Sequence, residues 1–144
     1  RYEYQYGSRI DEMKLQILLY FIQRECIVRT GSSLFEATFY AHPFGPYIPE
    51  VHAAYISNSL HDVLQSSIIE EYKFIFDSVF EQLSAKKTRS LSNLIHGEGS
   101  WKRAMMQGEG TPMDIQDIKE DATRFGVRRF LLSNLEQFRK PIYA

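Results

Sequence analysis

Residues 13–28 read Met13-Lys14-Leu15-Gln16-Ile17-Leu18-Leu19-Tyr20-Phe21-Ile22-Gln23-Arg24-Glu25-Cys26-Ile27-Val28. Together with Ile10, the apolar positions Met13, Ile17, Leu18, Phe21 and Ile22 recur at three- and four-residue intervals, which predicts a helix over about residues 9–29. Ser8 stands where an N-cap belongs, with Asp11 three residues on, and Gly31 supplies a stop. Leu15, Leu19 and Cys26 lie off the main stripe. A helix apolar on so much of its circumference is expected at the centre of a fold rather than on its surface.

Working outward, residues 32–49 lose the helical period. Phe35, Phe39, Tyr40, Phe44 and Tyr47 crowd among Pro43, Gly45, Pro46 and Pro49. This is an aromatic Gly/Pro loop, with room for a small β-hairpin in the stretch Phe35 to Ala41. Pro49 suits a first helical turn and Glu50 favours the helix dipole there, so a second helix is expected to about Ser57. After a connection at Asn58 to Ser66, Ser67 and Glu70 make a capping box, and Ile69, Tyr72, Phe76, Val79, Phe80 and Leu83 continue at helical spacing. Leu91, Leu94 and Ile95 mark a short helix that Gly97-Glu98-Gly99 ends. Ser100 then caps a turn carrying Trp101, Ala104 and Met105. Thr111, Pro112 and Asp114 start a further helix running to Gly126, and Val127 to Phe138 is helix-compatible. No repeat or linker divides the chain. The reading is mainly α: a single compact helical domain over residues 1–144.

The length of 144 residues suits one domain, and ten Phe, nine Tyr and one Trp argue against disorder. Seventeen basic against eighteen acidic side chains leave a net charge of -1, so no overall field draws the chain to nucleic acid or an anionic membrane. Cys26, the single cysteine, has no intramolecular disulfide partner and fits a reducing, cytoplasmic setting. The segment Arg1-Tyr2-Glu3-Tyr4-Gln5-Tyr6 lacks a signal-peptide layout, and no long uncharged apolar run exists. A chain neither secreted nor membrane-spanning is expected.

Catalytic chemistry finds no foothold. His42, His52, His61 and His96 do not pair at metal-ligand spacing, and no second cysteine could join them. His52 is expected to face outward or line the aromatic loop. His96, beside the Gly97 break, is expected to bond backbone carbonyls. Cys26 sits among apolar neighbours that raise its pKa and dull it. The pairs Gly97/Gly99 and Gly108/Gly110 each enclose a glutamate that repels phosphate, and neither follows a strand. Glu70 and Glu71 are adjacent on a helix and point apart, which reads as solvated surface. No catalytic, cofactor-binding or metal residues are assigned, no cofactor is expected, and the chain is not read as an enzyme. Phe44 and Tyr47, rigid aromatics on a backbone bent by Gly45 and its flanking prolines, either plug a gap between helices or anchor a partner.

Taken together, these stretches resemble the Panacea domain, or SocA-like antitoxin, family. Met13 to Phe21 resembles its opening Lys-Leu-Gln-(Lys)-Leu-Leu-Tyr helix, with Ile17 in place of the usual lysine. Phe39 to His52 is similar to its Ala-Trp-x-x-Gly-Pro-Val-x-Pro-x-Val-Tyr block, with His42 for the aromatic and His52 for the tyrosine. Leu91-Ser92-Asn93-Leu94-Ile95-His96, through Trp101, resembles its late Leu-Ser-x-x-x-His…Pro-Trp signature. The likeness covers about residues 8–106 and leaves 107–144 as a helical C-terminal extension. It implies an intracellular helical antitoxin of a toxin–antitoxin system, neutralising a cognate toxin from a neighbouring gene by direct binding. The alternatives it implies are an adaptor delivering a bound partner to an AAA+ protease, or another phage or prophage interaction module, and phage defence is compatible. No enzymatic role, cofactor or catalytic residue is implied.

Beyond that likeness, Glu109 to Asp121 holds five acids and one base, and Arg124 to Lys140 five bases and one acid. Either these stretches pair with each other, or Arg128 and Arg129 face a toxin that handles phosphate-bearing substrates while Phe138 docks the helix. The candidate partner-binding residues are therefore Phe44, Tyr47, Arg128, Arg129 and Phe138.

Overall fold

Around the long apolar stretch the chain builds its helix first. In the computed structural model, which describes residues 2–59 and 70–122, α1 is Tyr2–Tyr6 and α2 is Glu12–Thr30. The N-cap is Asp11, whose carboxylate accepts from the Lys14 N–H at 3.3 Å. Ser8, the expected cap, is displaced because Gly7 ends α1 at φ 74° and the chain needs the intervening residues to turn into α2. Gly31 closes the helix in the left-handed region at φ 77°, donating to the Ile27 carbonyl. Buried residues occupy every side of α2, polar Lys14, Gln16, Gln23, Arg24 and Glu25 among them. Such a helix is the axle of the fold, and the other elements pack around it.

Among the described residues, five elements pack most extensively on α2. They are β2 (Gly45–Tyr47), α3 (Pro49–Ile56), α4 (Glu70–Leu83), α5 (Thr88–Ile95) and α7 (Ile115–Ala122). The remaining pieces are β1 (Tyr40–His42) and α6 (Gly99–Met106), the latter lying between β1 and α7. The fold is mainly α, with one small antiparallel sheet. Its core joins Ile17, Tyr20, Phe21 and Cys26 to Phe39, Ile48, Val79, Leu83, Leu91, Ile95 and Ile118. Burial raises the Cys26 thiol pKa, as the apolar neighbourhood required.

The hairpin lies a few residues later than expected. Tyr40 pairs with Tyr47, Ala41 with Pro46 and His42 with Gly45. Phe35 does not enter a strand. The Gln23 side chain instead takes the Leu34 and Phe35 N–H groups at 2.8 and 3.2 Å and donates to the Phe35 carbonyl at 2.8 Å. A helix side chain here does the work of a neighbouring strand. On its outer edge β1 meets residues 110–113, with Ala41 N–H to Thr111 O at 2.9 Å and Met113 N–H to Phe39 O at 2.7 Å. The C-terminal extension thus covers an edge that would otherwise expose unpaired backbone, before α7 begins. Trp101 is half-buried and packs against the core. The Ser67 capping box and the stretch Val127 to Phe138 lie outside the described residues.

Candidate partner-binding surface

The carbonyls at the tip of the hairpin, His42-Pro43-Phe44, need hydrogen-bond donors that a two-stranded sheet does not supply. Three side chains from α5 and α6, or from the turn between them, provide them in order. The Trp101 indole N–H donates to His42 O at 2.8 Å, His96 Nε2 to Pro43 O at 2.9 Å, and Ser92 Oγ to Phe44 O at 2.6 Å. His96 and Trp101 also stack, with ring centroids 4.6 Å apart. At the hairpin's far end, Gln16 takes the Ile48 N–H at 2.9 Å and returns a bond to its carbonyl at 3.2 Å. Beneath the sheet, a Cβ on Gly45 would stand 3.4 Å from Ile17 Cγ1 and 3.6 Å from Ile95 Cγ2. The hairpin therefore rests directly on α2 and α5, and Gly45 is required by its φ of 148° rather than by space, since those distances are ordinary van der Waals contact.

Held in this way, the hairpin carries an arc of half-buried rings on its outer side. Phe44 stacks near-parallel on His42 at 5.7 Å, Tyr47 meets His42 edge-on at 4.8 Å, and His52 of α3 follows at 5.6 Å from Tyr47. Carboxylates bound the arc at both ends. Glu109 is 3.5 Å from His42 Nδ1, and Glu12 accepts from His52 Nδ1 at 2.9 Å. Burial, and then the charge of Glu12, raise the Tyr47 hydroxyl pKa. So Phe44 and Tyr47 stand together on one surface, in a cluster with His52, which was expected to face outward or line this loop, and with His42, which the sequence reading did not connect to them. Arg128, Arg129 and Phe138 lie outside the described residues.

Behind this surface is a buried polar network that sequence reasoning missed. Glu98, read above as a turn residue, is 4% exposed, and its Oε1 lies 2.8 Å from Arg24 Nε. The Tyr20 hydroxyl donates to Glu98 at 2.9 Å and, with its one proton committed, accepts from Ser100 at 3.1 Å. Burial raises the Glu98 carboxyl pKa, opposed by the Arg24 charge and helped by that of Asp121. Ser100 is not the cap of α6. Asp121 reaches over from α7, accepts from the Gly99 and Ser100 N–H groups at 3.0 and 2.8 Å, and leaves its own carbonyl to Arg24 Nη2 at 2.9 Å. The available signal was Arg24 itself, a charge inside the most apolar helix of the chain.

Among the described residues no three His, Cys, Asp or Glu are grouped to hold a metal ion, and no helix is long and apolar enough to cross a membrane. What the surface offers is shape, ring faces and flanking charge on a rigid support, which is the chemistry of recognition. Compared with known proteins, residues 15–102 match the sequence model of the family described as "Antitoxin SocA-like, Panacea domain". No curated protein and no solved structure matches the chain significantly.

Proposed function

The chain belongs to the SocA-like Panacea antitoxin family, and from that premise we propose that it neutralises a protein toxin, encoded by a neighbouring gene, by binding it directly in the cytoplasm. In this reading it acts by occupancy rather than turnover, with no cofactor, and the aromatic hairpin is the contact surface. The observation that carries the choice of surface is the convergence of the three sequence blocks on one place. Gln16 from the first, Ser92, His96 and Trp101 from the third, all hold the backbone of the second. Half-buried aromatics on a support of that rigidity suit an anchor, because they bury large area with little loss of rotamer freedom.

The test is co-expression with each adjacent open reading frame, reading growth rescue and copurification. Rescue together with a copurifying complex supports the proposal. Phe44→Ala and Tyr47→Ala are expected to abolish rescue while keeping the helical circular dichroism spectrum. Rescue only in cells containing an AAA+ protease would replace neutralisation by delivery for degradation. If Arg128→Glu with Arg129→Glu loses rescue and both hairpin variants keep it, the contact surface belongs to the basic stretch. No neighbouring gene that is both toxic and rescued would overturn the function.

A further inference from the structure

From the ring arc and its flanking acids we infer that the hairpin surface captures an arginine side chain of the protein partner, an inference that rests on the binding role proposed above. The four rings Phe44, His42, Tyr47 and His52 follow one another at centroid separations of 5.7, 4.8 and 5.6 Å. Each is half-buried and leaves part of its surface to solvent. Aromatic rings attract a cation over their faces, and guanidinium, planar and weakly hydrated, stacks on them better than ammonium does. The charge at the ends of the arc has the matching sign. Glu109 closes it on the His42 side with its side chain 62% exposed, and Glu12 closes it on the His52 side with 23% exposed.

Each acid already orients a histidine, yet a carboxylate has two oxygens and several acceptor directions, so it can also receive a guanidinium fork. The same region holds an intramolecular example of the contact. Arg9 places its guanidinium 3.8 Å from the ring centroid of Tyr55, three residues along α3 from His52, and also donates to the Tyr55 carbonyl. An anionic or purely aliphatic occupant fits less well, since it would meet Glu12 and Glu109 with nothing to offset their charge.

The experiment uses the whole chain and two small probes, Nα-acetyl-arginine amide and its uncharged isostere Nα-acetyl-citrulline amide. Binding is read from the NMR signals of His42 and His52 and from emission of Trp101. Trp101 is the chain's one tryptophan, and it is bonded to the His42 carbonyl. The arginine probe is expected to bind about tenfold more tightly than the citrulline probe. Glu12→Gln with Glu109→Gln keeps the acceptors for His52 and His42 but removes both charges, and should erase most of that preference without altering the circular dichroism spectrum.

Equal binding of the two probes overturns the inference, as does no binding of the arginine probe. An undiminished preference in the double glutamine variant overturns it too. These outcomes are separable from those of co-expression. Toxin rescue without an arginine preference removes only this inference, whereas arginine binding without any rescued neighbour removes only the antitoxin reading.

Discussion

Arg24 is wholly buried, with Nε against Glu98, Nη2 on the Asp121 carbonyl and Nη1 without a hydrogen-bond partner among the described residues. Interior ion pairs of this kind add little net stability, yet breaking one leaves a stranded charge. Arg24→Met is therefore expected to cost about 3–5 kcal/mol in urea unfolding at neutral pH. The cost should depend on pH with a definite sign. Burial already raises the Glu98 pKa, and loss of the guanidinium removes the strongest force lowering it. A carboxyl raised in the folded state holds a proton that the unfolded chain has released. The variant's stability then falls as pH rises from the ordinary carboxylate range through the raised value, and recovers on acidification. Unfolding midpoints for the wild type and Arg24→Met between about pH 5 and about pH 8 should diverge upward. A gap that stays constant across that range would show that Glu98 does not titrate there. Adding Glu98→Gln to Arg24→Met should close most of the gap at the upper end.

Local rules legible in the sequence govern where elements stop, and two glycines show their backbone side. Gly31 and Gly45 both have positive φ, at 77° and 148°; a Cβ on Gly31 meets nothing within 4 Å, and one on Gly45 reaches only ordinary van der Waals contact with Ile17 and Ile95. Gly31→Ala should then cost only the backbone strain, about 1–2 kcal/mol. Gly45→Ala should cost more, because φ 148° lies outside the left-handed well that other residues can enter. Equal melting temperatures for the two variants would mean that the Gly45 backbone relaxes to admit a side chain. Local coding also decides which elements could be read. The body of α2, the Pro49 start of α3 and the Gly31 stop are coded by residues within a turn of where they act. The hairpin was placed too early because Phe35 and Phe39 carry strand-forming side chains, while Gln23, distant in sequence, decides where the backbone bonds go. The loop aromatics Phe44 and Tyr47 could be picked from the loop's composition. His52 could be expected to line that loop, but the role of His42 and the two acids could not be read, since only folding brings Glu12 to His52 and Glu109 to His42.

At the scale of the molecule, the family match ends at residue 102, yet the described structure does not divide there. Residues 110–113 flank β1, and Asp121 caps α6 while its backbone receives Arg24. Asp121→Ala is expected to cost about 2 kcal/mol, being a nearly buried cap that serves two N–H groups. It should lower the melting temperature by several degrees, with Asp121→Asn intermediate. An unchanged melting temperature would show the extension to be an appendage. A final consequence follows from the three carbonyls of His42, Pro43 and Phe44, each tied to a side chain outside the hairpin. The path of the tip is written in α2, α5 and α6, while the side chains at 42–44 remain free of that duty. Such a division of labour separates the loop's position from its face: under the binding role proposed above, residues 42–44 can be rewritten to suit a different partner, and the loop will still arrive at the same place.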